Sequence, residues 1–149
     1  VTELGQMVDP TGKIVVELRT DARILALVGT VPGDATKVQV FGGEAHKDAA
    51  GAYVIVRRLG PMVRAKRAPF GRFRIIVDAY GHTPAEAAKL AGYISDVLAT
   101  RGPRTSAAGV ALYLSVEDVG PQASLDPDTD EPVERTIYSY SAALAQAGS

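Results

Sequence analysis

The segment Thr83-Pro84-Ala85-Glu86 opens an amphipathic helix that ends at Arg101-Gly102-Pro103, with alternating apolar and polar runs on both sides of it. Thr83 is a capping residue. Pro84 fits the first turn, where no helical N–H bond is lost, and Glu86 stands where its carboxylate reaches back to a free backbone donor. Gly102 suits a left-handed exit and Pro103 bars continuation. Ala87, Leu90, Ala91, Ile94, Val97 and Leu98 share one face, while Lys89 and Asp96 project from the other. A capped helix set between alternating strands constrains the chain to an α+β arrangement, with the helix across a sheet.

The strands are read from their period of two. Over residues 52–59, Val54 and Val56 face one side and Tyr53 and Ile55 the other. Over residues 72–80, Phe73, Ile75, Val77 and Ala79 form one face, and Arg72, Arg74, Asp78 and Tyr80 the other. That pattern predicts one face on a core and one face against water or a partner. Val110, Leu112, Leu114 and Val116 mark a further strand. Thr136, Tyr138, Tyr140 and Ala142 mark one face of the last. Tyr138 and Tyr140 are half-buried core or interface, with core expected for at least one.

At the N-terminus Asp9 caps a helix whose first residue is Pro10. Ile14, Val15 and Leu18, then Ile24, Leu25, Leu27 and Val28, have helical spacing. A kink is expected at a second cap, Asp21, and an end at Gly29. The β-branched pair Ile14-Val15 leaves a strand as the alternative. Residues 30–51 read as irregular, with a short strand at Val38, Val40 and Phe41 broken by Gly42-Gly43. Residues 60–71 read as a long connection with a basic centre, residues 118–132 as a turn-rich excursion, and residues 143–149 as a frayed or partner-dependent tail. The expectation is one domain over residues 1–149: a mixed or antiparallel sheet with helices packed on one face.

The 149 residues suffice for a substantial core. A net charge of -1 gives no global field towards nucleic acid or membrane and leaves only local patches. Zero cysteines exclude disulfides, thiolate zinc sites and a cysteine nucleophile, and fit a reducing compartment. No apolar run approaches a membrane span and no signal-peptide pattern opens the chain, so a cytoplasmic site of synthesis and no membrane partner are expected.

Catalytic signatures fail one by one. Asp126, Asp128 and Asp130 copy the first three ligands of a calcium loop, but Glu131 stands where glycine is needed and Ile137 where a bidentate glutamate is needed. Thr11-Gly12-Lys13 lacks the first glycine of a phosphate-binding loop and has Ile14 at the magnesium-ligating position. Gly42-Gly43 lacks the spacing and the following helix of a dinucleotide motif. His46 and His82 are the only histidines, too few for a three-ligand metal site, and no Gly-x-Ser-x-Gly elbow occurs. No catalytic residue, metal or cofactor is assigned, and the chain is expected not to be an enzyme. The surface candidates are Arg64, Lys66, Arg67 and Arg72 in the basic connection, and Asp126, Asp128 and Asp130 in the acidic one. The bland reading is a solvated basic loop and an Asp-Pro-Asp-Thr turn.

Several phrases together resemble the tail terminator (tail completion) proteins of long-tailed bacteriophages, of the actinobacterial phage type. They are residues 21–29 (DARILALVG), 41–44 (FGGE), 78–87 (DAYGHTPAEA) and 126–132 (DPDTDEP). The family often has glycine after the Asp-Pro-Asp-Thr turn, where this chain has Asp130. The resemblance implies a small α+β virion subunit, assembled in the bacterial host cytoplasm. Six copies would form a homo-hexameric ring capping the head-proximal end of the tail tube. The ring's partners would be the tail tube protein and the head-tail connector or stopper, with DNA passing through it without specific binding. Attraction between the basic and acidic connections is the expected source of the contacts between copies. Two alternatives stand beside it. One is another neck protein or the tube subunit itself. The other is a nucleic-acid-binding module using the basic run 64–67, which predicts salt-sensitive affinity for DNA.

Overall fold

Asp21 divides the N-terminal helical segment in two. In the computed structural model, which describes residues 11–64, 70–100, 104–105 and 111–143, α1 spans Thr11–Arg19 and α2 spans Ala22–Val28. Asp21 Oδ1 accepts from the backbone N–H of Arg23 (2.9 Å) and of Ile24 (3.2 Å), satisfying two donors that a helix start leaves open. Gly29 closes α2 at φ 61°, a conformation open to glycine. Asp9, Pro10, Gly102 and the tail beyond Ala143 lie outside the described residues.

A small hairpin follows, β1 (Thr30–Val31) with β2 (Asp34–Val38). The main sheet comprises β3 (Val40–Gly42), β4 (Tyr53–Arg64), β5 (Phe70–Tyr80), β6 (Arg104–Thr105), β7 (Ala111–Leu125) and β8 (Pro132–Ala143), in the order β3-β4-β5-β8-β7-β6. Only the β3–β4 pair is parallel. The helix α3 (Pro84–Thr100) connects β5 to β6 and packs with α1 and α2 on one face. The α+β sheet with helices on one face is therefore as expected from the sequence.

The alternation assigns the faces as read. Val54, Val56, Ile75, Val77 and Ala79 join Leu90, Ile94 and Leu98 of α3 and Ile14 and Leu18 of α1 in the main core. Tyr138 lies in the same core, with no exposure. Tyr53, Ile55 and Tyr80 point the other way, where Val31, Phe41 and Val133 complete a smaller cluster with Ala45 and Ala49 packed against it. One end of the second face is thus covered by the chain's own residues, which the sequence pattern did not foresee. Gln39, between β2 and β3 and 2% exposed, ties this region together. Its Nε2 donates to the carbonyls of Val28, Ala50 and Ala52, and its Oε1 accepts from Ala50 N–H.

Two connections are shorter than the sequence predicted. Residues 60–64 continue β4, with Val63 opposite Arg72 and Arg64 opposite Gly71, after a register shift between Leu59 and Val63. Gly60, at φ 72°, supplies the irregular step, so pairing resumes instead of ending. Likewise residues 118–125 belong to β7. Register shifts between Leu114 and Gln122 absorb Gly120-Pro121 as bulges in a strand whose outer edge Pro121 does not interrupt. Only residues 126–131 form the turn.

Among the described residues no helix is long and apolar enough to cross a membrane.

Candidate interaction surfaces

The acidic turn is built around Asp126. Its Oδ1 accepts from Asp128 N–H (2.8 Å) and Thr129 N–H (3.2 Å), and its backbone exchanges hydrogen bonds with Glu131 and Asp130. Its other oxygen, Oδ2, accepts from the Tyr80 hydroxyl at 2.7 Å. The Tyr80 hydrogen bond, with those backbone donors, holds the Asp126 carboxyl below its usual range. Burial and the Asp126 carboxylate push the Tyr80 hydroxyl upward, so it is a fixed donor at ordinary pH. Beside it, Tyr53 donates to Glu131 Oε1 at 3.2 Å, and the two phenol rings stack with centroids 4.4 Å apart. Two tyrosines on β4 and β5 therefore clamp the turn to the sheet.

Of the three aspartates proposed from the sequence, Asp126 is engaged inside the turn, while Asp128 and Asp130 are exposed. Asp130 has φ 63°, a left-handed conformation that favours glycine. This is the position at which the family that the sequence resembles often has glycine. The pattern is a hydrogen-bonded turn, and no group of three or more potential metal ligands occurs among the described residues.

The basic candidates sit at the other end of the sheet. Arg64 ends β4, and Arg72 lies two residues into β5. Lys66 and Arg67 lie outside the described residues. Phe70 is opposite Ala143, whereas Tyr80 is opposite Val133, next to the acidic turn. The 11 residues of β5 separate the two ends by about 35 Å, beyond the ~8–10 Å over which exposed charges interact in salt. Within one chain Arg64 and Arg72 therefore stand apart from the acidic turn.

A third feature occupies the middle of the second face. Asp78, whose side chain is 1% exposed, accepts from Arg57 Nη2 (2.7 Å) and from Arg135 Nε (2.8 Å) and Nη2 (3.1 Å). Three adjacent strands, β4, β5 and β8, each contribute one of these groups. The two arginine side chains stay 44% and 49% exposed. Arg74 is exposed on the same face of β5. Asp78 and Arg74 were legible as second-face residues. Arg57 and Arg135 were missed, because their meeting depends on β8 lying beside β5, which no local pattern encodes.

The histidines are local. His82 Nδ1 is 2.8 Å from Glu86 Oε1, and Glu86 also accepts from His82 N–H, one residue before the expected cap donor. Thr83 Oγ1 accepts from Glu86 N–H. His46 Nδ1 accepts from Asp48 N–H. A surface cleft of 360 Å³ lies along β7 beside the acidic turn, lined among others by Tyr80, Gln122, Leu125 and Arg135.

No family model matches the sequence, and no curated protein matches it. The fold is shared with a solved chain from the virion of a native gene transfer agent particle, with a TM-score of 0.63 and 19% identity, covering 87% of this chain and 91% of that one. A second solved chain is 15% identical over 94% of this chain and 99% of its own length, but its TM-score of 0.46 is too low to carry an argument. At these identities the first likeness establishes the architecture: an α+β subunit whose fold also occurs in a virion.

Proposed function

We propose that this chain is a structural subunit of a virion, acting by association and not by turnover. The observation that carries the reading is the fold shared, over nearly the whole length of both chains, with a component of a gene transfer agent virion. The local phrases that resemble tail terminators narrow the role. The subunit forms a ring, a hexamer by that resemblance, which caps the head-proximal end of a tail tube and offers its other side to the connector.

The charge layout supports association between copies. Arg64 and Arg72 lie at one end of the sheet, with Lys66 and Arg67 between them in sequence, and Asp128 and Asp130 are exposed at the other end. Opposite charges at opposite ends of one subunit favour heterologous contacts, which close into a ring when the rotation closes. Asp126 contributes by shaping the turn.

The test is imaging of the purified chain, alone and with isolated tail tubes. Closed rings that end tubes without stacking support the reading. Arg64, Lys66 and Arg67 changed together to Glu should weaken ring or tail joining; unchanged assembly removes their role. Self-made long tubes would assign the chain as a tube subunit instead.

A further inference from the structure

The two guanidiniums that grip Asp78 are only partly used. Arg57 Nη2 and Arg135 Nη2 bond one oxygen, Asp78 Oδ2, at 2.7 and 3.1 Å, and Arg135 Nε holds the other, Oδ1, at 2.8 Å. Among the described residues, Nε and Nη1 of Arg57 and Nη1 of Arg135 have no partner, and both side chains are partly exposed. Two cations against one buried anion leave the cluster with an excess of positive charge. The carboxylate fixes both forks from beneath, so an incoming oxyanion has less side-chain freedom to freeze. Asp126 also acts on Arg135, but its own carboxylate is taken by the Tyr80 hydroxyl and by two backbone N–H groups of the turn. Beside the forks, Ile76 lies opposite both Arg57 and Ile137, and the two isoleucines are half-buried on the same face.

We infer, resting on the association reading, that the Arg57–Arg135 pair receives the acidic turn of a neighbouring copy. Asp128 and Asp130 are exposed in that turn, and their carboxylates have no ion pair among the described residues. Leu125 and Pro127 stand exposed beside them. Two carboxylates edged by two apolar side chains thus match two guanidiniums edged by two isoleucines. Both forks already converge on one oxygen of Asp78, so a second carboxylate entering from the solvent side can reach both of them. The contact is heterologous, with the turn of one copy on the second face of the next. Its receiving cations lie at mid-sheet, and the hairpin end that carries Arg64 is not part of it.

The experiment combines sedimentation of the full chain over a wide concentration range with pairwise cross-linking. Asp128→Asn with Asp130→Asn leaves the arginine cluster untouched and should weaken self-association roughly tenfold at low salt. The difference should shrink at about 1 M salt, where charges are screened within about 3 Å. The chain has no cysteine of its own, so introduced thiols report unambiguously. An Asp128→Cys protein mixed with an Ile137→Cys protein, which keeps both arginines and Asp78, should form a mixed disulfide under mild oxidation. The same Asp128→Cys protein mixed with Arg64→Cys should not. Self-association unchanged by the folded double aspartate variant overturns the contact and leaves the association reading standing. So does cross-linking to position 64 in place of 137. A parent that neither self-associates nor cross-links also overturns the contact, and binding to tube ends then decides the association reading separately.

Discussion

Asp78→Asn tests whether the arginine cluster holds three strands together. The native carboxylate accepts three hydrogen bonds of 2.7, 2.8 and 3.1 Å from two guanidiniums. Asparagine keeps the shape but offers one oxygen, and its amide donors then face other donors. Stranding a fully buried charge costs about 3–5 kcal/mol. Here the arginines are 44% and 49% exposed and can turn to water, so that full penalty does not apply. With the amide oxygen at the Oδ2 position, which takes two of the three bonds, one charge-assisted bond worth about 1.5–3 kcal/mol is lost outright; the other two lose the acceptor's charge, and with the exposure discount the expected loss is about 2–3 kcal/mol. For a chain of this size that lowers Tm by roughly 5–10 °C. Urea unfolding followed by circular dichroism reads the change as a lower midpoint at constant slope. A loss below about 1 kcal/mol would show that the cluster is a solvated surface pair and not a tie between β4, β5 and β8.

Two further outcomes follow from the geometry. Gly81 joins β5 to α3, and a Cβ there would stand 2.5 Å from Ala87 N and 3.1 Å from Ala87 Cα, both backbone atoms, so Gly81→Ala should cost about 1–3 kcal/mol in thermal or urea unfolding; a neutral result would mean the strand–helix junction is looser than described. Tyr80→Phe removes the first cause of the depressed Asp126 pKa. A depressed carboxyl stabilises the fold above its unfolded value of 3.8 and loses that contribution as pH falls through the folded value. The deficit of the variant against the parent should therefore be present at neutral pH and shrink below about pH 4; a deficit that stays constant across that window would sink the assignment.

What was legible in the sequence was local. The cap at Asp21, the α3 start at Thr83 and the facing of Val54, Val56, Ile75 and Val77 all rest on chemistry within a few residues. The strand–helix phrase around Gly81 also has a local cause, since the α3 backbone packs where a side chain would stand. What was not legible depends on sheet order and on irregular pairing. Gly60 and the Gly120-Pro121 pair read as strand breakers, yet both are absorbed as irregularities within long strands. Gln39 carries no periodic signal, although its amide joins α2, β3 and the start of β4. The acidic candidates were placed in the right turn, but their division into one structural and two exposed carboxylates needed Tyr80, distant in sequence. The cluster of Arg57, Asp78 and Arg135 needed two pairings of β5 at once.

The measurement closest to the central claim is negative-stain imaging with parallel mass determination over a wide concentration range, with and without tail tubes. Closed rings, free or seated on tube ends and never stacked into filaments, are the expected result. Long self-assembled tubes, or neither ring formation nor binding to tube ends, would contradict the account.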